Sequence, residues 1–96
     1  MSVTKTLRIL IADDHAMMRG ALAKWLEDVN NVQAVDAVSN ADDALSVAVR
    51  ERPDIVLMDI EMPGLGCFSA ARSLTAQWPE TSIIFVSAFY HDRYIE

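Results

Sequence analysis

Two hydrophobic periods alternate along the chain. Leu7–Ala12 (LRILIA) is a compact, branched apolar run of the kind that forms a strand covered on both faces. Met18, Ala21, Leu22, Trp25, Leu26 and Val29 then recur at helical spacing and predict an amphipathic helix from about His15 to Asp28, closed by Asn30-Asn31. Val32–Val38 reads as a second strand, only half alternating. Asn40 is an N-cap residue, and Asp42 and Asp43 put negative charge in the first turn, where it suits the helix dipole. Ala41, Ala44, Leu45, Ala48 and Val49 supply the apolar face of this second helix, which Pro53 ends. Ile55–Met58 is a third strand, and Pro63-Gly64 marks a turn. Phe68, Ala71, Leu74 and Trp78 line a third helix stopped by Pro79. Ser82–Val86 is a fourth strand, and residues 92–96 begin a fourth helix. Strands separated by helices of this length imply right-handed crossovers and a parallel sheet with helices on both faces.

Composition narrows the field. Ninety-six residues make one small domain, and eight Lys+Arg against fourteen Asp+Glu leave a net charge of −6. That balance argues against nucleic-acid binding by this chain, because phosphate contacts need clustered positive charge. At 52% hydrophobic and 23% charged, the chain can bury a core. Apolar runs such as Ile9–Ala12 fall far short of the ~18–20 residues that span a bilayer, so no membrane partner is expected. Met1–Leu7 has no apolar signal region, and the single Cys67 excludes an internal disulfide. A cytoplasmic location is expected.

The chemistry should lie beyond the carboxyl ends of the strands, where ligand sites of open parallel sheets form. The first strand ends in Asp13-Asp14, the third in Asp59 and the fourth in Ser87. Topology alone therefore brings three carboxylates and a hydroxyl to one rim. At ~4 Å and an effective dielectric of ~20, each like-charge pair repels by about 4 kcal/mol. Either protons are retained or a hard cation sits among the oxygens. Oxygen donors favour Mg²⁺ over zinc, and Mg²⁺ usually works with phosphate. His15 is expected as a first-turn helix residue rather than a ligand, and Trp25 and Trp78 as core.

In these residues the chain resembles a response-regulator receiver domain. The resemblance rests on Asp13-Asp14, on Met58-Asp59-Ile60-Glu61-Met62-Pro63-Gly64 and on Phe85-Val86-Ser87-Ala88, in the right order on the right strands. The wording ILIADDHAMMRGAL is closest to the branch with a C-terminal helix-turn-helix DNA-binding domain. The resemblance implies a flavodoxin-like α/β three-layer sandwich with strand order 2-1-3-4. It implies that Asp59 accepts a phosphoryl group from a sensor histidine kinase or phosphotransfer protein. Mg²⁺ would be held by Asp14, Asp59 and the backbone carbonyl of Glu61, with Asp13 acting mostly through water. Ser87 would contact a phosphoryl oxygen, and Ala88 would leave room for the donor. Glu61 and Phe89 would flank the phosphoryl position.

Two features depart from the family's pattern. Cys67 stands where a glycine is usual, so the turn before the third helix is expected to shift toward Gly66. A receiver also continues through a fifth strand bearing a phosphoryl-bound lysine and a fifth helix, whereas this sequence ends at Glu96 with Lys5 and Lys24 both well before the fourth strand. Residues 1–96 are accordingly expected to form a receiver domain incomplete at its C-terminus. An exposed fourth strand would favour a homodimer or strand-exchanged oligomer, and the alternative function is an interaction module without phosphotransfer.

Overall fold

The structure, a computed structural model, describes residues 6–60 and 67–86. The predicted turn at Pro63-Gly64, the helix start at 92–96 and the side chain of Cys67 lie outside the described residues. The elements follow in the order β1 (Leu7–Ala12), α1 (Ala16–Glu27), β2 (Val32–Val38), α2 (Ala41–Glu51), β3 (Ile55–Asp59), α3 (Cys67–Gln77) and β4 (Ser82–Val86). All strand pairs are parallel, and the sheet order is β2-β1-β3-β4, as expected for the flavodoxin-like arrangement.

The strand patterns divide the core into two layers. Leu10 and Ala12 of β1, with Val56 and Met58 of β3, point to the face covered by α2 and α3. Ile9 and Ile11 point to the other face, where Leu26 of α1 closes over them, with Ile55 and Leu57 packed alongside. Strand β1 is thus buried on both faces, which is why its sequence shows no alternation. The half-alternating pattern of β2 has a physical cause. Its register against β1 slips between Ile9 and Leu10, so Ile9 pairs with Ala34 but Leu10 with Asp36. The extra residue lets Val35 and Val38 serve one layer while Ala34 and Ala37 serve the other.

The helix ends follow their residues. Asn40 Oδ1 accepts the backbone N–H of Asp43 at 2.7 Å, capping α2 as predicted. Arg52 adopts the left-handed conformation at the end of α2 (φ 47°), and its guanidinium stands 4.6 Å from the centroid of the Trp78 ring. Asn31, at φ 66°, turns the chain into β2. At the amino-terminal end of the sheet, Arg8 donates to the Glu51 carboxylate at 2.8 Å and to the Glu51 carbonyl. Its own backbone N–H reaches Asp54 Oδ2 at 2.9 Å. Thr81 Oγ1 donates to the Pro53 carbonyl at 3.0 Å and fixes the start of β4.

Three packing expectations are corrected. Trp25 is 63% exposed and is not a core residue. Helix α1 covers only the β1–β2 side of its layer, so its buried stripe narrows to Leu26 with Leu22 and Ala23 alongside, and Trp25 rotates out. In α2 the buried face is Ala41, Ala44, Val47 and Ala48, which leaves Val49 exposed. In α3, Ala70, Ala71 and Leu74 are buried, whereas Phe68 is 61% exposed and pairs with Phe85 at a ring distance of 4.8 Å. Trp78 is half-buried against the larger core layer. Among the described residues no helix is long and apolar enough to cross a membrane.

These placements separate two substitutions. Leu10→Ala should lower unfolding free energy by about 2–5 kcal/mol, and Trp25→Ala should change it by no more than ~0.5 kcal/mol, both read from urea titrations.

Candidate functional site

The site begins where β1 runs out. Asp13 follows the last residue of β1, and its backbone N–H donates to the Val38 carbonyl at 2.9 Å, extending the pairing with β2 by one step. Its carbonyl accepts Arg19 Nη1 at 2.9 Å, so a side chain from the first turns of α1 holds the same peptide. Asp59 is the last residue of β3 and pairs with Val86 of β4. Ala12 pairs with Met58, so Asp13 and Asp59 are the next step on adjacent strands, whose spacing is ~4.8 Å. Both aspartates are 0% exposed.

Asp14 stands at the surface beside them, and the chain then turns into α1 through His15. That residue is the helix N-cap by position, with an extended backbone (φ −93°, ψ 111°) and no side-chain capping bond. Instead its N–H donates to Asp13 Oδ1 at 2.8 Å, and its ring turns back over the acidic residues. His15 Nδ1 lies 3.1 Å from Asp13 Oδ1, 3.1 Å from Asp14 Oδ1 and 3.5 Å from Asp59 Oδ2. One donor atom from each of Asp13, Asp14, His15 and Asp59 lies within 4.8 Å of the others.

The structure therefore unites Asp13, Asp14 and Asp59, as the sequence predicted. Glu61, Ser87, Ala88 and Phe89 lie outside the described residues. His15, expected at the start of the first helix, stands at its N-cap with the ring turned over the acidic residues. The ring reaches them because it follows directly after two strand-end carboxylates.

The electrostatics are lopsided. Half of the net charge of −6 sits in these three carboxylates. The hydrogen bond to Asp13, followed by the charge of Asp14, raises the His15 pKa above its ordinary 6.5. Buried Asp13 Oδ2 has no hydrogen-bond partner among the described residues. An unsatisfied buried carboxylate oxygen facing other carboxylates is costly. Clustered hard oxygen donors fit a small divalent cation such as Mg²⁺.

This arrangement can now be set beside known proteins. Residues 9–96 match the family described as response regulator receiver domain. The chain belongs to that family. Over 88 residues the receiver sequence is 32% identical to the response regulator GacA of Pseudomonas viridiflava, covering 92% of this chain and 41% of that protein. It is 30% identical to the transcriptional regulatory protein LiaR of Bacillus subtilis, covering 90% and 41% respectively. Among solved structures, the response regulator domain of Thermotoga maritima CheB superposes with a TM-score of 0.79 at 30% identity, covering 92% of this chain and 65% of that one. The receiver chain spans about two fifths of the length of the curated relatives it matches.

The raised pKa of His15 fixes the direction of a pH effect. With metal chelated, the imidazolium contributes stability that is fully present below the ordinary value of 6.5 and is lost as pH rises through the higher folded value. The stability difference between the native chain and His15→Gln, measured by urea unfolding in a chelator, should be largest in acid and shrink as pH rises past 6.5. A difference constant from acid to alkaline pH would contradict it.

Proposed function

We propose that this receiver is the phosphoacceptor of a two-component system and that Asp59 takes a phosphoryl group from the phosphohistidine of a sensor kinase or phosphotransfer protein. The observation that carries the reading is the convergence of the buried Asp59 carboxylate with Asp13 and Asp14 at the carboxyl rim of the sheet. A carboxylate oxygen of Asp59 attacks phosphorus as the phosphorus–nitrogen bond to the donor imidazole breaks. The donor nitrogen departs with the electron pair. Such a transfer needs little covalent machinery beyond alignment and neutralisation of charge on the equatorial oxygens.

The carboxylates of Asp14 and Asp59 would hold Mg²⁺ directly, Asp13 would act mostly through water, and the Glu61 carbonyl would supply a third oxygen. When bound, the ion neutralises charge on the phosphoryl oxygens. Ser87 hydrogen-bonds a phosphoryl oxygen, and Ala88 leaves room for the donor. Phosphorylation then shifts the population toward the state with Ser87 turned inward, and the altered surface is read by a partner. The relatives include a transcriptional regulatory protein, which supports a DNA-binding output domain as the element controlled. On this reading the acceptor role is one of signalling rather than turnover of a substrate, carried out in the cytoplasm.

Incubating the chain with Mg²⁺ and acetyl phosphate should add one phosphoryl mass per chain, and Asp59→Asn should abolish the adduct. Continuous consumption of acetyl phosphate without a captured adduct would point to a hydrolase instead. Separately, millimolar Mg²⁺ should raise the melting temperature, and Asp14→Ala should remove the rise. A melting curve unchanged by Mg²⁺ would take the metal out of the reading.

A further inference from the structure

We infer that His15 is a ligand of the metal site, so that the receiver binds divalent transition ions through a nitrogen as well as through carboxylate oxygens. The inference rests on the acidic site of the proposed function holding a metal ion. It goes beyond that reading in adding a donor of a different chemical kind.

The geometry points to the ring nitrogen itself. Nδ1 is 3.1 Å from an oxygen of Asp13, 3.1 Å from an oxygen of Asp14 and 3.5 Å from an oxygen of Asp59. Neighbouring donors on an octahedral ion with bonds of ~2.1 Å stand ~3 Å apart, so Nδ1 lies at donor-to-donor distance from the carboxylates. A nitrogen engaged in one hydrogen bond approaches one acceptor best, whereas this one is equidistant from two and close to a third. A second observation is independent of the histidine. Asp13 Oδ2 is fully buried and has no hydrogen-bond partner among the described residues, so a carboxylate oxygen within the cluster is left to a ligand. The ring is also held from outside. The Asp13 Oδ1 bond to the His15 N–H and the extended backbone at the head of α1 direct it over the rim, while its 53% side-chain exposure keeps the site open to an ion.

The consequence is selectivity. Imidazole binds transition ions better than it binds Mg²⁺, which prefers oxygen, so His15 biases the site toward ions such as Mn²⁺ relative to Mg²⁺.

The test uses the full chain with Mn²⁺ as probe, in alkaline buffer where imidazole is neutral. Pulsed electron paramagnetic resonance should show nitrogen coupled to bound Mn²⁺. The coupling should vanish in His15→Ala and in His15→Gln, each checked for native folding by circular dichroism. Because His91 is the other histidine, a coupling that survives both substitutions would overturn the assignment. In titrations, losing His15 should weaken Mn²⁺ binding by about tenfold, as loss of supporting groups at metal sites does, and change Mg²⁺ affinity much less. Bound Mn²⁺ without nitrogen coupling, or a parallel loss for both ions, would reduce His15 to a hydrogen-bonding neighbour and overturn the inference. If neither ion binds the native chain, the acidic metal site is overturned as well.

Discussion

Two carboxylates with no exposure, Asp13 and Asp59, stand on adjacent strands at the same rim, and much of the described structure is arranged around that fact. Like charges at such spacing repel by about 4 kcal/mol at an effective dielectric of ~20. A domain of this size has only ~5–15 kcal/mol of stability in all. The repulsion is tolerated because both residues sit at the ends of strands anchored on either side. β1 is sealed by apolar layers above and below, and the peptide of Asp13 is held by Val38 and Arg19. A looser loop would relieve the charge by moving apart. A rigid parallel sheet cannot, so the relief must come from a counter-charge, and among the described residues His15 is the basic group nearest to hand.

The two ends of the sheet make the point by contrast. At the amino-terminal end, Arg8, Glu51, Asp54 and Thr81 are matched within the chain, cation to carboxylate and hydroxyl to carbonyl. That end is complete in itself. At the carboxyl end, among the described residues, acids outnumber nearby cations, and the buried Asp13 Oδ2 accepts no hydrogen bond. A fold that satisfies one rim and leaves the other short of positive charge has a definite direction. On the proposed reading, a cation at that rim would restore the balance.

Much of this was legible in the sequence because strands and strand-end acids obey local rules. The uninterrupted apolar run of β1 announced burial on both faces, Asn40 announced a helix start, and Asp13, Asp14 and Asp59 followed from the strand ends. What escaped depended on neighbours that periodicity does not record. Trp25 and Phe68 fit helical stripes, yet a helix buries only as wide a face as the sheet beneath it covers, and α1 lies toward one edge. The phase of β2 changed at a bulge, which alternation alone reads as noise. His15 is a subtler case. Its position was right, but the direction of its ring is set by an extended backbone and by a bond to the residue two before it. Residue type and spacing do not encode that direction.

The same charge balance explains how a small chemical change at this rim could matter to a whole domain. On the proposed reading, phosphorylation replaces the single negative charge of Asp59 with a group carrying up to about two. That addition falls where the chain already holds three carboxylates and where the sheet cannot yield. The added field must be answered by groups that can move, and the strand β1 peptide, fixed by Val38 and Arg19, is not among them. Among the described residues of the rim, half-exposed His15 is the group left to respond. The rigidity that makes the acidic cluster costly is therefore also what would convert its change of charge into motion elsewhere. A softer sheet would absorb the charge locally and transmit nothing.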